Sequence, residues 1–202
     1  MYNLNDSSFD SKGSVTIFND GKAGLVENVS MSVSKKKPED KENAPDYKVV
    51  FTDANGGECS TSYWYVTKAT EYASIEDQIK KQGTAMKHII HAVYGKDFQI
   101  PVNATTPQQL LDQSMKLIRE GLASGAKFRI FATYGTLNSR KEYIQPRSWV
   151  PFVENMTHPG TDTSLKVSAN VDAIERLTKD TVVPAKSNES LANSIISDGD
   201  EW

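Results

Sequence analysis

The sequence predicts a mainly β fold with a helical insertion, an α+β class, from three observations. Between 47 and 66, two runs of β-branched and aromatic residues flank an Asn-Gly pair, which is the signal of a β-hairpin. Apolar residues then recur at helical spacing from 75 to 118, and period-two alternation returns after 127. Strands are therefore expected both before and after a helical segment.

The chain has 202 residues, enough for one body with a sizeable hydrophobic core. We expect this body to span 1–155, with its helical insertion at 74–123. From 156 onward the sequence becomes polar. There we expect a linker, one short amphipathic helix between Val167 and Leu177, and a disordered acidic tail that ends at 202.

The first elements follow from alternation and turn signals. A short strand is predicted at 14–18, and Asn19-Asp20-Gly21 closes it with a turn. A half-buried strand is predicted at 24–34 because its apolar residues largely alternate with polar ones. The charged segment 35–46, which contains two prolines, is predicted to be an exposed loop.

The register of the hairpin at 47–66 depends on the length of its turn. A two-residue turn pairs Lys48 with Tyr63 and places Trp64 on the core face. Lys48, Tyr63 and Tyr65 then share the other face, where a cation lies beside two rings. A longer turn shifts the register by one residue. In that register the first strand contributes Tyr47, Val49 and Phe51 to the face of Tyr63 and Tyr65.

The second half of the body begins with two helices. Ser74 opens a capping-box pattern and a helix over 74–94, and Thr106-Pro107 begins a second helix that ends before Gly121. Strands are predicted again at 127–134 and at 140–152. Pro146 interrupts the second of these, which is typical of an edge strand or a bulge.

Charge is distributed unevenly along the chain, whose net charge is −3. Residues 1–155 hold 19 Lys and Arg against 18 Asp and Glu, whereas 156–202 hold 4 against 8. The segment 127–149 carries five cations and one anion. A basic pair of strands indicates a negatively charged partner for the body, although charges that merely cover solvated faces would give the same counts.

Several chemistries are not supported by the sequence. It has no Gly-rich phosphate loop, Cys-x-x-Cys pair or Gly-x-Ser-x-Gly elbow, and its single cysteine, Cys59, rules out an intrachain disulfide. His88 and His91 could share a helix face, but no spacing motif completes a metal site. We therefore expect no enzyme, no cofactor and no metal. Without a signal peptide or a membrane-spanning run, we expect a cytoplasmic protein, in a host cytoplasm if a phage encodes it.

Five main strands with helices between the third and the fourth are the order of the OB-fold, a small barrel that binds oligonucleotides. We therefore predict an OB-fold-like five-stranded antiparallel barrel with a helical pair between strands 3 and 4. Cations that track phosphates and rings that stack on bases are the requirements for binding single strands. The candidate DNA-binding residues are Lys48, Tyr63, Tyr65, Lys127, Arg129, Phe131, Arg140, Lys141, Tyr143, Arg147 and Trp149.

The chain end adds an independent observation, since it closes with Asp198, Gly199, Asp200, Glu201 and Trp202. With an OB-like body and a flexible segment before it, this acidic, aromatic end resembles that of phage-type and bacterial single-stranded DNA-binding proteins. The resemblance implies replication or recombination of DNA, with the tail recruiting replication proteins and competing with DNA. The chain departs from the family in ending with Trp rather than Phe and in its long helical pair.

Other interpretations fit the same sequence. A structural or assembly protein of a virus-like particle, without a catalytic site, would also show a β-rich body and polar termini. An acidic end can serve solubility alone. RNA in place of DNA and a homodimer formed through the helical pair are both compatible with the pattern.

Overall fold

The computed structural model describes residues 16–122, 125–136, 142–156, 165–167 and 174, and it is a mixed α/β fold. Two helices accompany a six-stranded antiparallel open sheet. The strands are β1 (Gly24–Lys35), β2 (Tyr47–Thr52), β3 (Glu58–Tyr63), β4 (Phe128–Thr136), β5 (Glu142–Pro146) and β6 (Val153–Asn155), and the helices are α1 (Ile75–Tyr94) and α2 (Pro107–Gly121).

Hydrogen bonds order the strands β3-β2-β1-β4-β5, and β6 also pairs with β4. The two outermost strands of this order, β3 and β5, come into contact with each other. In the chain, α1 and α2 lie between β3 and β4. The helices pack on each other, and α1 also contacts β6 while α2 contacts β1. The core therefore lies between the helices and one face of the sheet.

The helices begin where capping residues satisfy their first backbone N–H groups. Ser74 Oγ accepts from the Asp77 N–H of α1, and Thr106 Oγ1 accepts from the Gln109 N–H of α2. The buried stripes are Met86, Ile89 and Ile90 on α1 and Leu111, Met115 and Ile118 on α2.

The β2–β3 hairpin has the register of the longer turn, so the predicted two-residue turn is wrong. Tyr47 pairs with Tyr63, and Phe51 pairs with Cys59. All four side chains, with Val49, are buried on the inner face. Trp64 lies past the end of β3 and is exposed, opposite to the prediction of a core position.

Asp53 determines the shape of the hairpin loop. Its carboxylate accepts hydrogen bonds from the N–H groups of Asn55 (2.8 Å), Gly57 (2.9 Å) and Asn19 (2.6 Å). Although burial raises the pKa of Asp53, these bonds outweigh it and hold the pKa below its ordinary value. Gly57 lies so close to the preceding segment that a Cβ would approach the Cα of Phe18 to 2.7 Å. The loop is thereby anchored to the residues before β1.

Two predicted strands differ in the structure. In the 14–18 stretch, Ile17 forms a single bridge with Glu58, and the chain then turns at Phe18–Gly21, where Asn19 and Asp20 adopt positive φ. Residues 14 and 15 lie outside the described part. The strand predicted at 140–152, with its interruption at Pro146, forms β5, which ends at Pro146, and then an irregular segment before β6. The Arg147 N–H still donates to the Phe131 carbonyl of β4 at 2.8 Å.

The outer face of β1, β2 and β3 is covered by small polar groups. Ser30, Ser32 and Ser34 of β1 stand beside Thr52, Val50 and Lys48 of β2. The next row on β3 is Glu58, Ser60 and Ser62. Apart from Val50, the side chains in these three rows are polar, so these rows need no second protein layer to cover them.

The predicted linker, short helix and acidic tail at 156–202 fall almost entirely outside the described residues. Among those described, Leu165 is buried and Val167 is exposed.

Candidate nucleic-acid interface

Three predicted DNA-binding side chains are exposed, but they do not share one surface. Lys48 lies on the outer face of β2. Lys127 precedes β4, whereas Tyr143 pairs with Gly135 near the other end of that strand. Eight residues of extended chain separate these two positions by about 25 Å. The strands alone therefore do not form a continuous basic and aromatic track.

Three other predicted residues belong to the interior. Tyr63 is 3% exposed, Phe131 is 1% exposed and Arg147 is 3% exposed. Both faces of β4 are covered, whereas period-two alternation predicts one buried face and one exposed face. These side chains therefore do not form the exposed strand face that the alternation predicts, and burial raises the pKa of Tyr63 to about 12.

Arg129 is engaged by carboxylates of its own chain. Its Nε donates to Glu154 Oε2 at 2.9 Å, and Nη1 lies 3.7 Å from Glu27 Oε1. The guanidinium is largely covered, so its charge is offset within the protein. Arg129 therefore joins β4 to β1 and β6 and offers little to a phosphate.

Tyr65 is held by a carboxylate of α2. Asp112 Oδ1 accepts hydrogen bonds from the hydroxyls of Tyr47 (2.5 Å) and Tyr65 (2.8 Å), and Lys35 Nζ lies 3.7 Å away. Burial, with the hydrogen bond to Asp112, raises the pKa values of both tyrosines to about 12. Burial also acts to raise the pKa of Asp112, but the two hydroxyls and Lys35 lower it overall.

Replacing Asp112 by asparagine should lower the free energy of unfolding at pH 7 by about 1 kcal/mol, since hydrogen bonds to a charged acceptor become bonds to a neutral one at a partly exposed site. The folded state holds the pKa of Asp112 below its unfolded value. Its contribution is therefore present above the unfolded pKa and lost as pH falls. Urea unfolding at pH 7 and at about pH 3 checks this, and an equal difference at both pH values would contradict it.

Some predicted residues lie outside the part of the chain that the structure describes. These are Arg140 and Lys141 between β4 and β5, and the tail residues Asp198, Asp200, Glu201 and Trp202.

Rings and cations come together in a cleft of about 580 Å³ between β3, α1 and the segment 148–152. Of the predicted residues, Trp149 and Tyr63 line it. The other lining side chains include Trp64, Lys80, Lys81, Gln78 and Gln82. Aromatic faces, ammonium groups and amides in one open cleft suit a flat, negatively charged ligand.

Trp64 reaches the cleft because the chain leaves β3 at Tyr63 and runs along α1. The indole is 47% exposed. Its backbone carbonyl accepts a hydrogen bond from Gln82 Nε2 at 3.2 Å, which ties this residue to the helix. The ring is therefore presented to solvent from a fixed backbone position.

Trp149 is positioned by the buried Arg147. The guanidinium lies 3.9 Å from the ring centre of Phe131 on one side and 4.1 Å from that of Trp149. Its Nη1 donates to the carbonyl of Pro151 at 3.0 Å, and its Nη2 donates to that of Lys166 at 2.6 Å. Arg147, predicted to bind DNA, instead holds the irregular segment that carries Trp149.

The charge of the cleft is positive on balance. Lys80 and Lys81 are exposed on α1, and neither forms an ion pair within the described ranges of the chain. The one acid among the lining residues is Asp77, whose Oδ2 accepts a hydrogen bond from the Ser74 hydroxyl at 2.6 Å. Two ammonium groups in the cleft are thus available to a negatively charged ligand.

The sequence pattern does not mark Trp64, Lys80 or Lys81 as binding residues, and it places Trp64 in the core. The available signal was the polar side of α1, where two consecutive lysines face away from the stripe of Met86 and Ile90. Which strand end would stand opposite that side depends on tertiary packing. The pattern of the helix alone does not contain that information.

His88 is a structural residue. Its Nε2 accepts the N–H groups of Phe152 (3.1 Å) and Val153 (3.2 Å), and its ring packs edge-on against Phe152. Burial lowers the pKa of His88 to about 4, so the ring is neutral at pH 7. Within the described ranges, no group of three or more His, Cys, Asp or Glu side chains is arranged to hold a metal ion.

The chain matches no protein-family model, no curated protein and no solved structure. Among the residues that the structure describes, neither helix has the length and apolar character needed to cross a bilayer.

Proposed function

We propose that this chain binds single-stranded DNA without strong sequence preference, with the cleft between β3, α1 and 148–152 as the principal contact. The observation that carries the proposal is the presence of two indoles and two lysines in one cleft. Rings provide stacking surfaces for any base, and lysines attract the phosphates between bases. This combination is what binding without sequence preference requires.

Weak sequence preference follows from how the amides of the cleft are used. Gln78 Nε2 donates to the carbonyls of Lys68 (3.0 Å) and Ala73 (3.2 Å), and Gln82 Nε2 donates to that of Trp64. Amide groups that bond to backbone have less capacity left to read base edges. Stacking, which every base can provide, then dominates the contact.

The outer face of the sheet offers a continuation of the path. Ser62 lines the cleft and is paired with Lys48, whose other neighbour is Ser34 at the end of β1. Beyond it lie Lys36 and Lys37 in the loop after β1. Hydroxyls and ammonium groups suit a phosphate backbone, so a strand can extend from the cleft across this face.

The proposal includes an OB-like body. Support comes from the strand order β3-β2-β1-β4-β5, from the contact between β3 and β5, and from helices between β3 and β4 in the chain. In OB-folds the face of strands 2 and 3 contacts oligonucleotides, and here that face adjoins the cleft. The acidic end at 198–202 would then recruit proteins of replication or recombination, as its resemblance to single-stranded DNA-binding proteins implies.

The test is a titration of the full chain with labelled oligo-dT of about 16 nucleotides, followed by anisotropy from about 50 to 300 mM salt. The dissociation constant should rise steeply with salt because bound phosphates release counterions. Lys80→Ala and Lys81→Ala should each reduce the slope of log K against log salt by about 0.7.

Lys116→Ala is the matched control, since this exposed lysine lies on α2 and pairs with Glu120 at 3.8 Å. It should leave the slope unchanged. Absence of binding at about 50 mM salt would refute the proposal. If Lys80→Ala and Lys81→Ala have the same salt slope as Lys116→Ala, the phosphates contact another part of the surface.

A further inference from the structure

The connection between β3 and α1 contains a turn whose shape is set by its own hydrogen bonds. The Thr70 N–H donates to the Ala73 carbonyl at 2.9 Å, and the Ala73 N–H donates to Thr70 Oγ1 at 3.1 Å. Because both ends are bonded, the two residues between them are displayed from a defined backbone. Those residues are Glu71 and Tyr72.

Tyr72 is the most exposed large apolar side chain in the described ranges, at 90%. Ile75, at the start of α1, is also exposed. A single exposed ring is ordinary. Here the exposed ring stands on a bonded turn, three residues before an exposed aliphatic side chain, and we call these two residues the apolar patch.

This patch adjoins the cleft through Gln78. The Gln78 side chain lines the cleft, and its Nε2 holds the carbonyls of Lys68 and Ala73 on either side of the turn. The turn and the cleft wall are therefore parts of one hydrogen-bonded unit. Tyr72 is thus joined to the wall of the cleft through the Gln78 side chain.

Charge determines what the patch can bind there. Glu71, Glu76 and Asp77 surround the turn and the first turn of α1, while Lys68 precedes them. Three carboxylates repel phosphate, so the N-terminus of α1 is not an anion site. A neutral ring among acids suits the uncharged face of a base, with the phosphates directed toward Lys80 and Lys81.

We propose that Tyr72 is a third base-stacking residue, which extends the single-strand site beyond the cleft along the β3–α1 connection. The proposal rests on the proposed function, because it assigns Tyr72 to the same ligand. Two consequences follow. Tyr72 contributes only when the strand is long enough to leave the cleft, and its contribution is insensitive to salt.

The experiment compares the full chain with Tyr72→Ala and Tyr72→Phe on oligo-dT of about 4 and about 16 nucleotides. Tyr72→Ala should weaken binding of the longer strand about fivefold and leave the salt slope unchanged. The short strand should bind both proteins equally. Tyr72→Phe should bind like the unmodified chain, since stacking needs the ring and not the hydroxyl.

A strand carrying 5-iodouracil gives a direct readout, because irradiation joins the base to a ring that it contacts. A peptide containing cross-linked Tyr72 should be found by mass spectrometry with the longer strand only. If Tyr72→Ala binds the longer strand unchanged and no such peptide forms while Trp64→Ala weakens binding, the assignment of Tyr72 is wrong. If the unmodified chain binds neither strand, the proposed function itself fails.

Discussion

Replacing Trp64 by alanine should weaken oligo-dT binding by about 5- to 150-fold, because stacking on one ring contributes about 1 to 3 kcal/mol. Half of the indole is already exposed in the free protein, so its removal costs little core packing. Trp64→Phe keeps an aromatic face and should retain most of the affinity. Anisotropy at one fixed salt concentration measures the dissociation constants of the unmodified chain and the two variants.

Tyr143→Ala is the matched control for Trp64→Ala. Tyr143 is an exposed ring of β5 and is absent from the lining of the cleft. It covers Gly135, where a Cβ would come within 2.5 Å of its ring. Loss of affinity in Tyr143→Ala but not in Trp64→Ala would place the ligand on β5, as the sequence predicted, and would contradict a cleft contact. Thermal unfolding of both variants separates binding from stability.

The chain should lose stability as pH falls from about 6.5 to about 4, and His88 should cause most of this loss. Burial depresses its pKa to about 4 in the folded state, while an unfolded histidine titrates near 6.5. The unfolded chain therefore takes up the proton first. The contribution of neutral His88 is complete above pH 6.5 and is lost by pH 4, at roughly 3 kcal/mol for a shift of this size.

His88→Gln provides the test, because an amide oxygen can accept a backbone N–H but does not titrate. Urea unfolding at several pH values between about 7 and 4 should show a flattened profile for this variant. His91→Gln, one turn along α1, is the control and should retain the fall. Two acids, Asp53 and Asp112, have lowered pKa values, so their losses belong to lower pH. Identical profiles for both glutamine variants would assign the pH dependence elsewhere.

Local patterns predicted the helices and the hairpin well because their signals lie within a few residues. The Ser74 and Thr106 caps act on N–H groups three residues away, and the apolar stripe of each helix is visible in the sequence. The register of the hairpin was harder to predict from the sequence. Asp53 bonds within its loop and also to Asn19, 34 residues away, and that contact is not visible in the turn sequence.

The sequence predicted the types of side chain in the candidate site, but not which residues form it. Rings and cations were expected, but alternation placed Phe131 on an exposed face that Arg147 and neighbouring chain in fact cover. Conversely, Trp64 was assigned to the core because the two-residue turn would have turned it inward. Both errors come from contacts between distant segments. Such contacts determine the register of the hairpin and whether a strand is covered on one face or on both.

The stack of Phe131, Arg147 and Trp149 limits how a strand can use the second indole. The guanidinium occupies one face of the Trp149 ring, so a base can approach from the opposite face alone. A ring open on one side cannot be enclosed between two bases. Under the proposed function, Trp149 would therefore stack on one base at a time.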